Sequence, residues 1–153
     1  MRKPDKEITE RAAQEEILRR AEVLRLAMCL GGQPYVVPLN FAYVDGRIWL
    51  HTGREGLKMD YLRANPRVCF EASVDVATLA GELPCRWSAR YQSVIGFGRA
   101  VEVEDEAERR RGLDTLVRRY AGENAGPLSE DAVARICVLR VDIESMTGKK
   151  NHL

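Results

Sequence analysis

The sequence predicts a mainly β chain (α+β), with about six antiparallel strands closing into a barrel and helices at its periphery. Short runs of β-branched and aromatic residues recur along the chain, separated by glycine- and proline-bearing turns. Helical patterns are few and lie between these runs. The long run Trp87–Glu104 carries Gly96 and Gly98 at its middle, where a curling strand needs a bend or a close backbone approach.

Thr9 is placed to cap a first helix running to about Glu22, so residues 1–22 read as an N-terminal helix with Ile17, Leu18 and Ala21 on one face. Val23–Leu30 reads as a strand, turned by Gly31-Gly32. The second strand, Tyr35–Tyr43, contains Pro38. Proline has no N–H for a ladder, so it marks an edge, a bulge or a place where a ligand replaces the neighbouring strand. Asp45-Gly46 predicts a two-residue hairpin into Arg47–His51. A short helix over Leu57–Ala64 stops at Asn65-Pro66. Arg67–Ala72 is a fourth strand, and the weaker pattern from Ser73 to Pro84 suggests a strand extension and an exposed loop. Asp105 caps a helix to about Tyr120, and Ser129 opens another helical piece. Ile136–Ile143 alternates as a closing strand, and residues 145–153 read as a C-terminal tail.

No repeat or linker divides the 153 residues, which read as a single domain. Lys and Arg total 24 against 23 Asp and Glu, a net charge of +1, which gives no basic face for nucleic acid. Of the cations, 19 are arginine. Arginine's planar fork suits carboxylate or phosphate, and a composition bias gives the same count. The N-terminus has no apolar signal-peptide core, and no run approaches the roughly 20 residues of a membrane helix. The expectation is a cytoplasmic protein without a membrane partner. Cys29, Cys69, Cys85 and Cys137 form no CxxC pair and read as reduced, mostly buried thiols. Two distant histidines make no metal site.

The segment His51-Thr52-Gly53-Arg54-Glu55-Gly56-Leu57-Lys58 is the most suggestive. A strand ends, a glycine-bearing loop follows and a helix begins, so helix N–H groups with Thr52, Arg54 and Lys58 would suit a phosphate. The same loop also reads as ordinary solvated charge. His51 is either a hydrogen-bonded structural residue or a functional one, and His152 reads as solvated. Ser88 and Ser93 lack any GxSxG setting. Trp49, Trp87, Tyr91 and Phe97 suit a core, an interface or the wall of a planar ligand.

In order along the chain stand Tyr35-Val36-Val37-Pro38-Leu39-Asn40-Phe41, His51-Thr52 with Gly56 and Lys58, and Asn65-Pro66-Arg67-Val68-Cys69-Phe70. Arg90–Ala100 and Asp142–Lys149 follow. Together they resemble the pyridoxamine-5′-phosphate-oxidase-like flavin-binding split barrels, and within them the Nim-type nitroimidazole-resistance branch. The resemblance implies a homodimer of six-stranded split β-barrels with FMN at the subunit interface. By analogy, Val37, Pro38, Leu39 and Asn40 would face the isoalloxazine ring, and Thr52 and Lys58 would hold the phosphate. Gln92 and Ser93 would approach from the other subunit or the barrel rim. In the branch, the strand-end histidine matching His51 matters to activity, as a flavin or substrate contact or a proton donor. Leu57 stands where the oxidases carry a basic residue before the lysine, and their arginine-rich C-terminal motif is absent. Both departures argue against vitamin B6 oxidation. The implied activity is FMN-dependent oxidation–reduction of a small planar or nitroaromatic acceptor, with NAD(P)H as a possible donor. A flavin carrier, a haem-binding split barrel and F420 use are the alternatives.

Overall fold

The computed structural model describes residues 3–122 and 126–152. Eight strands and four α-helices follow one another as β1 (Glu7–Ile8), α1 (Arg11–Arg20), β2 (Leu24–Leu30), β3 (Gln33–Leu39), β4 (Phe41–Val44), β5 (Arg47–Thr52), α2 (Leu57–Ala64), β6 (Arg67–Leu79), β7 (Ser88–Glu102), α3 (Glu106–Ala121), α4 (Glu130–Arg135) and β8 (Cys137–Asn151). The strands form one sheet in the order β3-β2-β6-β7-β8-β5-β4, with β1 paired to β8 and every pairing antiparallel.

The two terminal strands of that path, β3 and β4, are consecutive in the chain and separated only by Asn40. A sheet whose opposite edges are one residue apart must curl round on itself, so this is a split barrel with its seam at Asn40. Pro38 therefore sits on an edge strand, where its missing N–H costs no ladder bond. Asp45 and Gly46 both have positive φ, 51° and 76°, the geometry that a tight two-residue hairpin requires.

Alternation along the strands divides two cores. Leu24, Leu26, Phe41, Leu50, Phe70 and Val94 fill the barrel, each at most 1% exposed. Trp49, Leu113, Leu116 and Val138 form a second cluster where α3 covers the outer face of β5 and β8. Each such fully buried side chain contributes roughly 1.5–3 kcal/mol. Side chains at Gly96 or Gly98 would collide with the Phe70 ring or the Asp142 carbonyl, so both glycines mark close approaches. Gly98 also adjoins the irregularity in the β7–β8 register.

Several expectations are corrected. Thr9 does not cap α1: residues 7 and 8 pair with β8, the chain is still extended there, and Glu10 occupies the cap position without a side-chain bond. The predicted strand Tyr35–Tyr43 breaks at Asn40 into two strands on opposite edges. The tail is no tail, since β8 runs through it and pairs Met146 with Gly96 and Gly148 with Val94. Its mostly polar side chains hid the strand, because only Met146 and Gly148 meet the core side. The break at Asn40 and the additional β1 raise the strand count from six to eight among the described residues. The thiols are also not mostly buried: Cys137 is buried and Cys69 half-buried, while Cys29 and Cys85 are exposed. Asp105 does cap α3, accepting the Glu108 N–H at 2.8 Å.

Candidate cofactor site

Strand parity decides which predicted residues share a surface. On β5, Ile48 and Leu50 enter the barrel core while Trp49 enters the α3 cluster. Side chains alternate, so Thr52 has the parity of Leu50 and His51 that of Trp49. Ladder partners agree: Thr52 pairs with Cys137, part of the barrel core, and His51 pairs with Val138, part of the α3 cluster. His51 is exposed at the penultimate position of the strand, and Thr52 is half-buried at its end.

From Thr52 the chain leaves the sheet through Gly53–Gly56, and Gly56 adopts φ 111° as it enters α2 without any side-chain cap. Met59 N–H donates to the Gly56 carbonyl at 2.8 Å, so the N–H groups of Leu57 and Lys58 are the ones left open for an acceptor. Lys58, in that first turn, is half-buried and makes no hydrogen bond or ion pair among the described residues. Burial pulls its ammonium below the ordinary lysine range, with only Cys137 opposing. Thr52 pairs with Cys137 in the ladder, and Lys58 lies in the first turn of the helix that follows the same strand end.

A brace that sequence reasoning did not foresee holds this loop. Arg63 donates to the Arg54 carbonyl at 3.0 Å and to Glu102 at 3.2 Å. The Arg63 guanidinium holds the Glu102 carboxyl below its usual range. Glu102 in turn accepts from the Cys137 thiol at 3.5 Å, and that thiol is pushed up to about 11, chiefly by burial. Arg54 donates to the Ala134 carbonyl at 2.6 Å, so its side chain is committed to α4. Arg63 and Glu102 stand 39 positions apart, and no local pattern announces the pair.

On the opposite side of the seam, Val37 and Leu39 pack against the barrel core, while Pro38 and Asn40 are exposed. Tyr120 pins the seam from α3. Its hydroxyl accepts the Phe41 N–H at 2.9 Å, and its single proton is shared between the Glu22 and Phe41 carbonyls at 2.9 and 3.1 Å.

Gln92 and Ser93 are not brought to this place. The row containing Glu102 lies two residues from Thr52's partner Cys137, and Gln92 is ten residues further along β7. At about 3.3 Å per residue that is roughly 30 Å. Gln92 instead donates to Asp75 at 2.8 Å, beside Arg20, and Ser93 faces Ser73 and Lys149 across the ladders. His152 is exposed, 2.8 Å from Ser88 Oγ.

The outward face of the sheet carries exposed apolar side chains beside the Arg25–Glu71 ion pair. Register places Val36, Ala27, Cys69 and Phe97 in one row, with Ile95 in the next. Val36, Ile95 and Phe97 are 58%, 47% and 55% exposed. Trp49 is core, whereas Trp87 is exposed.

Comparison with known proteins bears on the family and the fold. The sequence model for pyridoxamine 5′-phosphate oxidase matches residues 10–150. A candidate 5-nitroimidazole antibiotic resistance protein from Bacteroides thetaiotaomicron superposes with a TM-score of 0.83 at 32% identity, covering 94% of this chain and 86% of that one. An FAD-binding protein from Mesorhizobium loti superposes at 0.68 with 28% identity, covering 93% and 95%. A protein of Rhizobium meliloti without assigned function is 30% identical over 87 residues, 57% of this chain. The match spans half of that curated relative's length.

Proposed function

We propose, for a chain that belongs to the pyridoxamine 5′-phosphate oxidase family, that it binds FMN and serves as an oxidoreductase for small planar or nitroaromatic acceptors. One observation carries the cofactor: Lys58 is a half-buried cation with no counter-charge among the described residues, in the uncapped first turn of the helix that follows the end of β5 at Thr52. A phosphate dianion fits that set, because it supplies the missing charge and accepts from open N–H groups. The similar proteins described as FAD-binding and as a nitroimidazole resistance factor support a flavin and this class of acceptor.

The barrel core is filled, so a flat tricyclic ring must lie outside it, along the exposed edge at Val37, Pro38, Leu39 and Asn40. Bound there, the flavin supplies the electron transfer. Thr52 and Lys58 would fix the phosphate end, and Tyr120 steadies the Asn40–Phe41 corner. His51, exposed at the strand end, would hold or deliver a proton to the acceptor.

Gln92 and Ser93 lie too far along the barrel to join this site within one chain, which favours their arrival from a second copy. The apolar face around Val36, Ile95 and Phe97 suits such a homodimer. Free cysteines suit a reducing compartment such as the cytoplasm.

The test is the visible spectrum of the purified protein, then anaerobic reduction with NADH and NADPH and reoxidation by a nitroaromatic. Flavin absorption with turnover supports the oxidoreductase. Flavin without turnover favours a carrier, and a Soret band instead of flavin overturns the cofactor. His51→Ala is expected to retain flavin and lose most turnover; full turnover in that variant would remove the histidine from the chemistry.

A further inference from the structure

We infer that the groove between α1, β4 and α3 is a second binding site, for a small organic oxyanion: a carboxylate or phosphate carried on an apolar body. The groove encloses about 380 Å³ and is lined by Arg19, Ala42, Tyr43, Val44, Thr115, Arg118 and Arg119. None of these belongs to the proposed flavin site, so the inference stands whether or not the chain holds a flavin.

Its charge is in excess. Arg19 shares Glu15 with Arg11, at 3.0 and 2.9 Å, and lies 3.5 Å from Glu16. Those two glutamates leave nothing for the α3 arginines. Arg119 donates to the Arg20 and Ala21 carbonyls at 3.3 and 3.0 Å, contacts that orient a guanidinium without neutralising it. Arg118 is exposed and makes no hydrogen bond or ion pair among the described residues. Both arginines are in the last turn of α3, where the helix end carries about half a negative charge. Half a charge cannot balance two cations, so complementing the dipole leaves most of the positive charge unspent. No carboxylate lines the groove.

The floor is apolar and rigid. Ala42 and Tyr43 are 2% and 6% exposed, and β4 presents them with half-exposed Val44. Arg19 lies 5.6 Å over the Tyr43 ring, which fixes one fork above that floor. The Tyr43 hydroxyl is buried beside Glu15 and Arg11, and that carboxylate is already held by Arg11 and Arg19. Forked donors above an aromatic floor suit an oxyanion that offers two oxygens side by side, as carboxylate and phosphate both do. The volume lies at the small end of ligand pockets, which fits a benzoate-sized body rather than a dinucleotide.

The probes are benzoate and phenyl phosphate, titrated calorimetrically into the full-length protein with and without FMN. Wild type is expected to bind at least one of them saturably. Arg118→Glu should weaken that binding at least about tenfold, or 1.4 kcal/mol. Arg118→Gln should weaken it less, and Lys58→Met should leave it unchanged. The Arg118 side chain makes no hydrogen bond or ion pair among the described residues, so Arg118→Gln should melt close to wild type, and Arg118→Glu should melt only slightly lower, from an unfavourable charge at a helix end. No saturable binding of either probe at millimolar concentration overturns the inference, as does equal binding by Arg118→Glu. Loss of binding in Lys58→Met instead would place the probe in the flavin-phosphate site and equally overturn it.

Discussion

Replacing Lys58 by methionine separates two energies that the same side chain carries. Methionine keeps the unbranched apolar stem and deletes the charge. In the flavin-free protein that charge is half-buried, unpaired and pulled down by desolvation. Its removal should therefore leave the thermal midpoint unchanged or raise it. In the complex the same charge meets the phosphate. Two unit charges 4 Å apart attract by about 4 kcal/mol at an effective dielectric of 20, which is an upper bound here. A hydrogen bond to a charged group is worth roughly 1.5–3 kcal/mol net. Lys58→Met should thus raise the Kd for FMN by roughly 10- to 150-fold. Riboflavin has the ring and no phosphate, so its affinity should not change. Quenching of flavin fluorescence measures both ligands on both proteins. Wild-type affinity for FMN should also fall as pH rises through the lowered Lys58 pKa, where the ammonium is lost. Equal FMN affinity in the variant, or a wild type that holds riboflavin as tightly as FMN, refutes the assignment of Lys58.

Three further outcomes follow from the packing and charge of this chain. A Cβ at Gly112 would stand 2.6 Å from Trp49 Cε3 and 3.0 Å from Val138 Cγ1, so Gly112→Ala should overpack α3 against β5. The cost is about 1–3 kcal/mol, seen as a midpoint lowered by roughly 3–10 °C in calorimetry. Glu102 has a folded-state pKa held below its ordinary value, so its contribution is present above that ordinary value and is lost as pH falls through the folded one. Glu102→Gln should cost at most roughly 1 kcal/mol at neutral pH, since the pair with Arg63 is partly exposed, and nothing in acid. Denaturant melts at several pH values read this difference. On the proposed pairing of two copies through the face around Phe97, Phe97→Asp should leave a monomer in sedimentation and make Cys29, which lines the same groove, react faster with a disulfide reagent. Cys137, with its thiol pushed up to about 11, should stay inert in both.

Where sequence and structure agree, the signal was local. Asp45-Gly46, Asn65-Pro66 and Asp105 act within a few residues, and each does in the fold what its chemistry dictates. The strand–loop–helix layout from His51 to Lys58 was legible for the same reason, being a strand end, glycines and a helix start in succession. Pro38 left three readings open, and only sheet order could choose the edge. Long-range features stayed hidden. The β8 extension carries few apolar residues because it is buried on one side only at Met146 and Gly148. The Arg63–Glu102 brace and the Tyr120 latch join residues 39 and 79 positions apart, with no pattern to mark them.

The alternation of β5 constrains how one site could use both His51 and Thr52. Adjacent residues in a strand point to opposite faces, and their ladder partners Val138 and Cys137 fall in different cores. No ligand lying flat on either face of the sheet touches both. The strand stops at Thr52, however, and the chain turns away through Gly53, so the two faces meet at that end. A ligand reaching both side chains must cross the end of β5, with its anionic part toward Thr52 and Lys58. Its other part then lies beyond the strand end, where exposed His51 stands clear of either core. On the proposed binding mode a histidine one residue earlier or later would not serve. At position 50 it would be buried in the barrel core, and at 52 it would replace the hydroxyl proposed to hold the phosphate.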